Sequence, residues 1–252
     1  MKRMMKQITV LLLAGVLFSG CRDDDYSPDN YWVDIATVEN PQKKSDFFLR
    51  LDDSTRLWTE ESDISNYRPS DGQRVIAYYS VLSDKRGTGY YDYDVKLNDV
   101  FEVLTKGIFK MTPEKQDSIG NDPVHVSDMW IGSKFLNVEF YYLGYSKTHY
   151  INLVSDSTKT YADDKIHLEF RHNANNDDPF HKRWGIVSFD ISSLQASTAD
   201  SVNLVIHVKR PEQEDEKLVE LTYRYHNNAS SGVVKKVKMN KPDGYARENE
   251  IK

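Results

Sequence analysis

Cysteine is almost missing from this sequence: Cys21 stands alone in a chain of 252 residues. That excludes a disulfide framework and a thiolate metal centre, both of which need several cysteines. Long apolar runs are missing too. Ile8 to Phe18 is a largely apolar stretch of 11 residues that includes Thr9, well short of the about 20 that cross a bilayer as a helix. A surplus of positive charge is missing, since 33 Lys and Arg stand against 39 Asp and Glu. Affinity for a polyanion rests on counterions released by Lys and Arg, so the balance argues against a nucleic-acid partner. Catalytic signatures are also missing. There is no P-loop, no dinucleotide fingerprint and no H-E-x-x-H, and "GYSKT" lacks the second glycine of a nucleophile elbow. No cofactor and no catalytic residue are implied.

What is there begins with an address. Lys2, Arg3 and Lys6 precede the apolar run, and Ser19 and Gly20 lead into Cys21. The order of positive charge, apolar core and small residues is that of a secretory signal over residues 1–20. Small residues before a cysteine resemble the lipobox of bacterial lipoproteins, with Phe18 where an aliphatic residue is usual. The resemblance implies that the Cys21 thiol receives a diacylglycerol and becomes the mature amino terminus. Several acyl chains on one residue anchor stably where one chain does not, so the expected membrane contact is the lipid on Cys21. Asp23, Asp24 and Asp25 follow at once. An aspartate run in this place resembles the export signal of Bacteroidetes-type lipoproteins bound for the outer face of the outer membrane. The acidic tether spans residues 21–30. Removing residues 1–20 takes away three positive charges and moves the formal charge from −6 to −9.

The body reads as strands. In "DFFLRLDDSTRLWTEES" two apolar stretches flank Asp52-Asp53-Ser54-Thr55, a hairpin with a polar loop. "RPSDGQRVIAYYSVL" predicts a turn at 69–72 and a strand over 74–82. "GTGYYDYDVKLN" alternates, with Tyr91, Tyr93 and Val95 on one face. With "YWVDIATVE" these make five strands, which fit an OB-like barrel over 31–105. "TPEKQDSIGND" carries helix punctuation, with Thr112 as N-cap, Pro113 at the first position and Gly120 as the stop. Seven strand candidates follow between Val124 and Tyr225, and predict an immunoglobulin-like antiparallel sandwich over 106–226. The tail, 227–252, has six basic and three acidic residues and no strong period. Val233 to Met239 reads as an edge strand there, and the rest as largely disordered.

The stretches "CRDDDY", "FFLRLDDSTRLW", "PSDGQRVIAYYSVLSD", "KLNDVFEVLTKGI", "DSIGNDPVHVSDMWIG" and "FLNVEFYY…THYINLV" resemble the NigD-like lipoproteins, and "SIGNDPV" followed by "DMWIG" is the most specific part. The resemblance implies an N-terminal OB-like domain ahead of a β-sandwich, and a role associated with bacteriocin production or self-immunity. It implies no catalytic residues.

Of possible metal ligands, the densest group is "HNANNDDPFH", which crowds His172, Asp177, Asp178 and His181 into ten residues. The spacing matches no established ligand pattern, and the stretch reads as a polar loop, so no metal site is expected. Aromatic residues make up 12% of the chain, and "YYDYD", "EFYYLGY" and "NYR" bring tyrosines where some rings should face solvent. Exposed rings on a rigid β scaffold suit recognition of sugar or protein, while Trp58 and Trp130 read as core. The expectation is a non-catalytic, surface-exposed, outer-membrane binding module for an extracellular or envelope protein, peptide or glycan. The alternative is a surface-tethered hydrolase, which facing carboxylates or a His172/His181 cluster would favour.

Overall fold

The computed structural model describes residues 31–41, 47–87, 89–211, 216–225 and 251–252. Cys21, Asp23, Asp24, Asp25 and the strand expected over 233–239 lie outside the described residues.

Five strands close into a barrel: β1 (Trp32–Glu39), β2 (Phe48–Leu51), β3 (Arg56–Ser62), β4 (Arg74–Asp84) and β5 (Tyr93–Glu102), in the order β1-β2-β3-β5-β4. Alternation dictates the two faces. Leu49, Leu51 and Leu57 point inward and meet Val38, Val75, Ala77, Val95 and Leu97 in a dry core. Phe48, Arg50, Arg56 and Trp58 face outward, with Phe48 opposite Trp58 and Arg50 opposite Arg56. The hairpin forms as its polar loop predicts. Leu51 N donates to Thr55 O at 2.8 Å, and Ser54 takes φ 72°. Tyr91 departs from expectation: it precedes β5, and the inward face of that strand is carried by Val95 and Leu97.

The second body has eight strands: β6 (Leu104–Met111), β7 (His125–Gly132), β8 (Phe135–Gly144), β9 (Tyr150–Asp156), β10 (Ile166–Asn173), β11 (His181–Asp190), β12 (Ser201–Val208) and β13 (Lys217–Arg224). They run β13-β12-β10-β9-β6-β11-β8-β7 around a core that includes Leu136, Phe140, Leu153, Phe170, Phe189 and Ile206. The β-sandwich is as the sequence predicts. Two details differ: β6 was not legible as a strand, and three pairings, β10 with β12, β11 with β6 and β6 with β9, run parallel. β6 links the layers, since Leu104 to Gly107 pair with β11 and Ile108 to Met111 pair with β9. After it, Pro113–Lys115 form a 3-10 turn and Gln116–Ile119 a single α turn, ended by Gly120 at φ 69°. Of the tail, Ile251 and Lys252 are described. Lys252 N donates to His149 O at 2.9 Å, Ile151 N donates to Lys252 O at 2.8 Å, and Ile251 is buried in the sandwich core.

Barrel and sandwich share a seam. Val33, Ile35, Ile76 and Tyr78 of the barrel pack with Val103, Trp184 and Ile186, and half-buried Trp130 lies against them. Within the seam Arg74, whose side chain is fully buried, spends all five donors. Nη1 reaches Thr37 Oγ1 (3.1 Å) and Asp52 Oδ1 (2.8 Å), Nη2 reaches Asp52 Oδ2 (3.2 Å) and Asn137 Oδ1 (2.9 Å), and Nε reaches Ser188 Oγ (3.4 Å). Trp130 Nε1 and Asn137 Nδ2 donate to the same Asp52 carboxylate. Partners on both domains satisfy both charges, as burial of an ion pair demands.

Candidate functional site

The outward faces of β2 and β3 carry three rings in contact. Phe48 and Trp58 face each other across the two strands with centroids 4.8 Å apart. Tyr91, on the connection between β4 and β5, joins them at 5.9 Å from Phe48 and 6.3 Å from Trp58. The rings are tilted at 35° to 51° and all three are half-buried. Trp58 is therefore not a core residue, contrary to expectation: the β pleat turns it away from Leu57. Tyr90, next in the chain, is 86% exposed.

Polar contacts hold this face rigid. Arg56 Cζ lies 3.9 Å above the Phe48 ring, Arg56 Nε donates to Glu39 Oε2 at 3.0 Å, and Arg50 pairs with the same Glu39 carboxylate. Arg56 also ties the β4–β5 connection down, through Nη1 to Tyr90 O (3.0 Å) and through its backbone N–H to Asp92 Oδ2 (2.8 Å). Asp94 anchors the other end. Burial pushes its carboxyl up, but hydrogen bonds from Ser83, Tyr91 and Lys85 outweigh that and hold it below the usual range. The bond to Asp94 raises the Tyr91 phenol in turn. With one face of Phe48 covered by the Arg56 guanidinium, half-buried Trp58 and Tyr91 beside fixed charged groups suit a flat, partly polar ligand. The β2–β3 face with the β4–β5 loop is also the surface on which OB barrels bind oligosaccharides and oligonucleotides.

The histidine-rich loop of the sandwich is assembled differently from its reading in sequence. His172 is buried and meets His149, with His149 Nδ1 and His172 Nε2 2.7 Å apart. His181 sits on the surface instead, stacked on Tyr145 and beside Phe180. Asp178 is exposed, while Asp177 turns inward to His149 Nε2 at 3.2 Å and accepts the N–H groups of Tyr145 and Ser146. His172 Nδ1 donates to Pro123 O at 3.2 Å. A carbonyl and a carboxylate only accept, so closing this whole chain takes one proton more than two neutral rings hold. Burial, with the charge of His149, pushes His172 down to about 4. Burial likewise pushes His149 down, partly offset by Asp177. Burial would push the Asp177 carboxyl up, but the two N–H groups and His149 hold it well below the carboxylate range. Gly144 makes room for the arrangement, because a Cβ there would lie 2.8 Å from His149 Nε2. The result clamps two loops together, and those loops present Tyr145 and Phe180, 55% and 71% exposed. His149 was not singled out in sequence, because its partners are 23 and 28 residues away. Among the described residues no group of three or more His, Cys, Asp or Glu is placed to hold a metal ion.

Comparison with known proteins adds to this geometry. The NigD-like N-terminal OB domain matches residues 35–103, and the NigD-like C-terminal beta sandwich domain matches residues 107–228. Among solved structures, a protein of Parabacteroides distasonis named as toxin related is 31% identical, with 78% of this chain and 95% of that one covered and a TM-score of 0.67. A protein of unknown function from Bacteroides vulgatus is 27% identical over 79% of this chain and 94% of that one, with a TM-score of 0.68. A NigD-like immunity protein from Bacteroides caccae is 16% identical over 77% and 96%, with a TM-score of 0.59, a likeness of fold alone. No curated protein matches the chain.

Proposed function

This chain belongs to the NigD-like family, and from that premise we propose that it is a surface-displayed outer-membrane lipoprotein, a non-catalytic module that binds glycan on its barrel. Lipid on Cys21 is the anchor, and Asp23, Asp24 and Asp25 are the export signal. The observation that carries the binding reading is the row Phe48–Trp58–Tyr91 on β2, β3 and the β4–β5 connection. A sugar ring stacks its C–H face on such rings and bonds its hydroxyls to edges like Glu39 and Arg56. The negative balance of the chain favours oligosaccharide over nucleic acid among the ligands of this kind of face.

A second reading rests on the sandwich. Tyr145, Phe180 and His181 form an exposed aromatic tip, which suits a protein partner. That is the immunity-like case, and the names of two neighbours, one toxin related and one an immunity protein, point the same way. The hydrolase alternative loses its His172/His181 cluster, since His172 pairs with His149.

Two measurements test the proposal. Protease applied to intact cells should cut the wild-type protein and spare a triple Asp23→Ala, Asp24→Ala, Asp25→Ala variant; protection of both until lysis would remove surface display. On an array of bacterial capsular and plant polysaccharides, Trp58→Ala should weaken the best signal about tenfold, roughly 1.4 kcal/mol, while the loss of its cross-strand packing lowers Tm by only a few degrees. An array signal that Trp58→Ala leaves intact, or no signal at all, would remove the glycan reading.

A further inference from the structure

The β8–β9 and β10–β11 loops at the tip of the sandwich are tied to each other by more than the Asp177 carboxylate. Asn175 Nδ2 donates to Thr148 O at 3.3 Å, and Lys147 Nζ donates to the carbonyls of Asn176 and Asn175 at 2.6 and 3.4 Å. Asn175 and Asn176 take positive φ, 54° and 52°, a region that asparagine enters more readily than most residues with a side chain. Arg183 Nη2 holds the other side through Tyr145 O at 3.0 Å. What this framework fixes is an apolar surface in solvent. Phe180, Tyr145 and Leu143 are 71%, 55% and 52% exposed. Large apolar side chains gathered in solvent at one place mark interaction sites, and a rigid display lowers the ordering cost of binding.

Ring geometry and charge then select the partner. Phe180 stands edge-on to both Tyr145, at 71°, and His181, at 85°. The three rings share no plane on which a sugar could lie, and an aliphatic or aromatic side chain packs among such edges and faces instead. Lys147 and Lys182 border the rings, and both are exposed. Uncharged groups hold them, two carbonyls for Lys147 and the Tyr141 ring 4.1 Å from Nζ for Lys182, so their charge is positioned without being cancelled. Lys96, Lys134 and Lys165 each meet a carboxylate. Of the carboxylates in the tip, Asp177 turns inward and Asp178 is exposed, while Asp122 at its base accepts the Ala174 N–H at 2.7 Å. With Arg183, the tip is a positive spot on a chain of formal charge −6. We propose that Tyr145, Phe180 and His181 bind an acidic segment of a partner protein, with one apolar side chain of that segment packed among the rings and its carboxylates paired with Lys147 and Lys182. The proposal rests on the second reading above and gives that partner its chemistry; it is independent of the barrel face.

A microarray of random-sequence peptides probed with the labelled full-length protein tests it. A negative chain is drawn non-specifically to basic peptides, so a preference for acidic ones isolates the tip. The expected signal rises with Asp and Glu beside Leu, Phe or Trp, falls about tenfold in Phe180→Ala, and moves to basic peptides in a double Lys147→Glu, Lys182→Glu variant. Leu218→Ala, which removes an exposed apolar residue of β13, should leave it unchanged. Added salt should weaken the wild-type signal by screening, a readout of charge that needs no variant. An acidic preference that Phe180→Ala leaves intact, or a signal indifferent to salt, would overturn the proposal. Binding that depends on Phe180 without acidic preference would overturn the acidic partner and keep a protein-binding tip, whereas no peptide binding through Phe180 would remove the second reading as well. Phosphatidylglycerol vesicles bound through Phe180 in place of peptides would assign the tip to lipid and equally overturn it.

Discussion

His172 shows what a single buried residue contributes and how it is sensed. Its ring is pushed down to about 4 by burial and by His149, whereas an unfolded histidine titrates near 6.5. On acidification the unfolded chain takes up this proton first, so stability is present above about pH 6.5 and is lost as pH falls toward 4, by up to about 3 kcal/mol. Thermal unfolding at pH 7.5 and 4.5 should therefore show a larger acid loss in wild type than in His172→Asn, and equal losses would remove His172 as the cause. The polar character of "HNANNDDPFH" was legible in sequence, but its partners were not. Sequence proximity groups His172, Asp177, Asp178 and His181 within ten residues, whereas the fold pairs His172 and Asp177 with His149 at the edge of another strand. Trp58 carries the same lesson. Its place on a strand was readable from the alternation around Leu57, and its exposure followed from which face of the pleat met the barrel core.

At the scale of elements, β6 is the strand that makes the sandwich one body. "LTKGIFKM" mixes charge, glycine and apolar residues without strict alternation, because its two halves serve different neighbours. Only the ladders to β11 and β9 reveal it. The β7–β8 hairpin is equally dependent on one residue. A Cβ on Gly132 would lie 2.1 Å from Asp52 Cγ, so Gly132→Ala must push the carboxylate away from Arg74. Removing one side of a buried pair costs about 3 kcal/mol or more, roughly a 10 °C fall in Tm for a chain of this size. Calorimetry of Gly132→Ala should show it, and an unchanged Tm would mean that the hairpin can yield. "DMWIG" stood out in the sequence as family-specific; the approach of Asp52 is a physical reason for its glycine.

For the whole molecule, the seam decides whether two domains behave as one. The apolar cluster around Ile76, Trp184 and Ile186 and the five-fold satisfied Arg74 cross it. Barrel and sandwich should therefore melt in a single calorimetric transition. Arg74→Ala strands the Asp52 charge at a cost of about 3–5 kcal/mol and should split that transition in two; two transitions already present in wild type would show that the domains are independent.

The sequence by itself determined the class of the body, since alternating strands and turn residues are local properties read over a few positions. The hairpin at Ser54 and the helix punctuation at Pro113 and Gly120 are of that kind. The tertiary structure alone decided which residues meet. Asp52 with Arg74 and Asn137, His149 with His172 and Asp177, His167 with His207, and Phe48 with Trp58 and Tyr91 are contacts made by strand order and register. A β fold pairs residues across tens of positions, and no period within one strand encodes its neighbour.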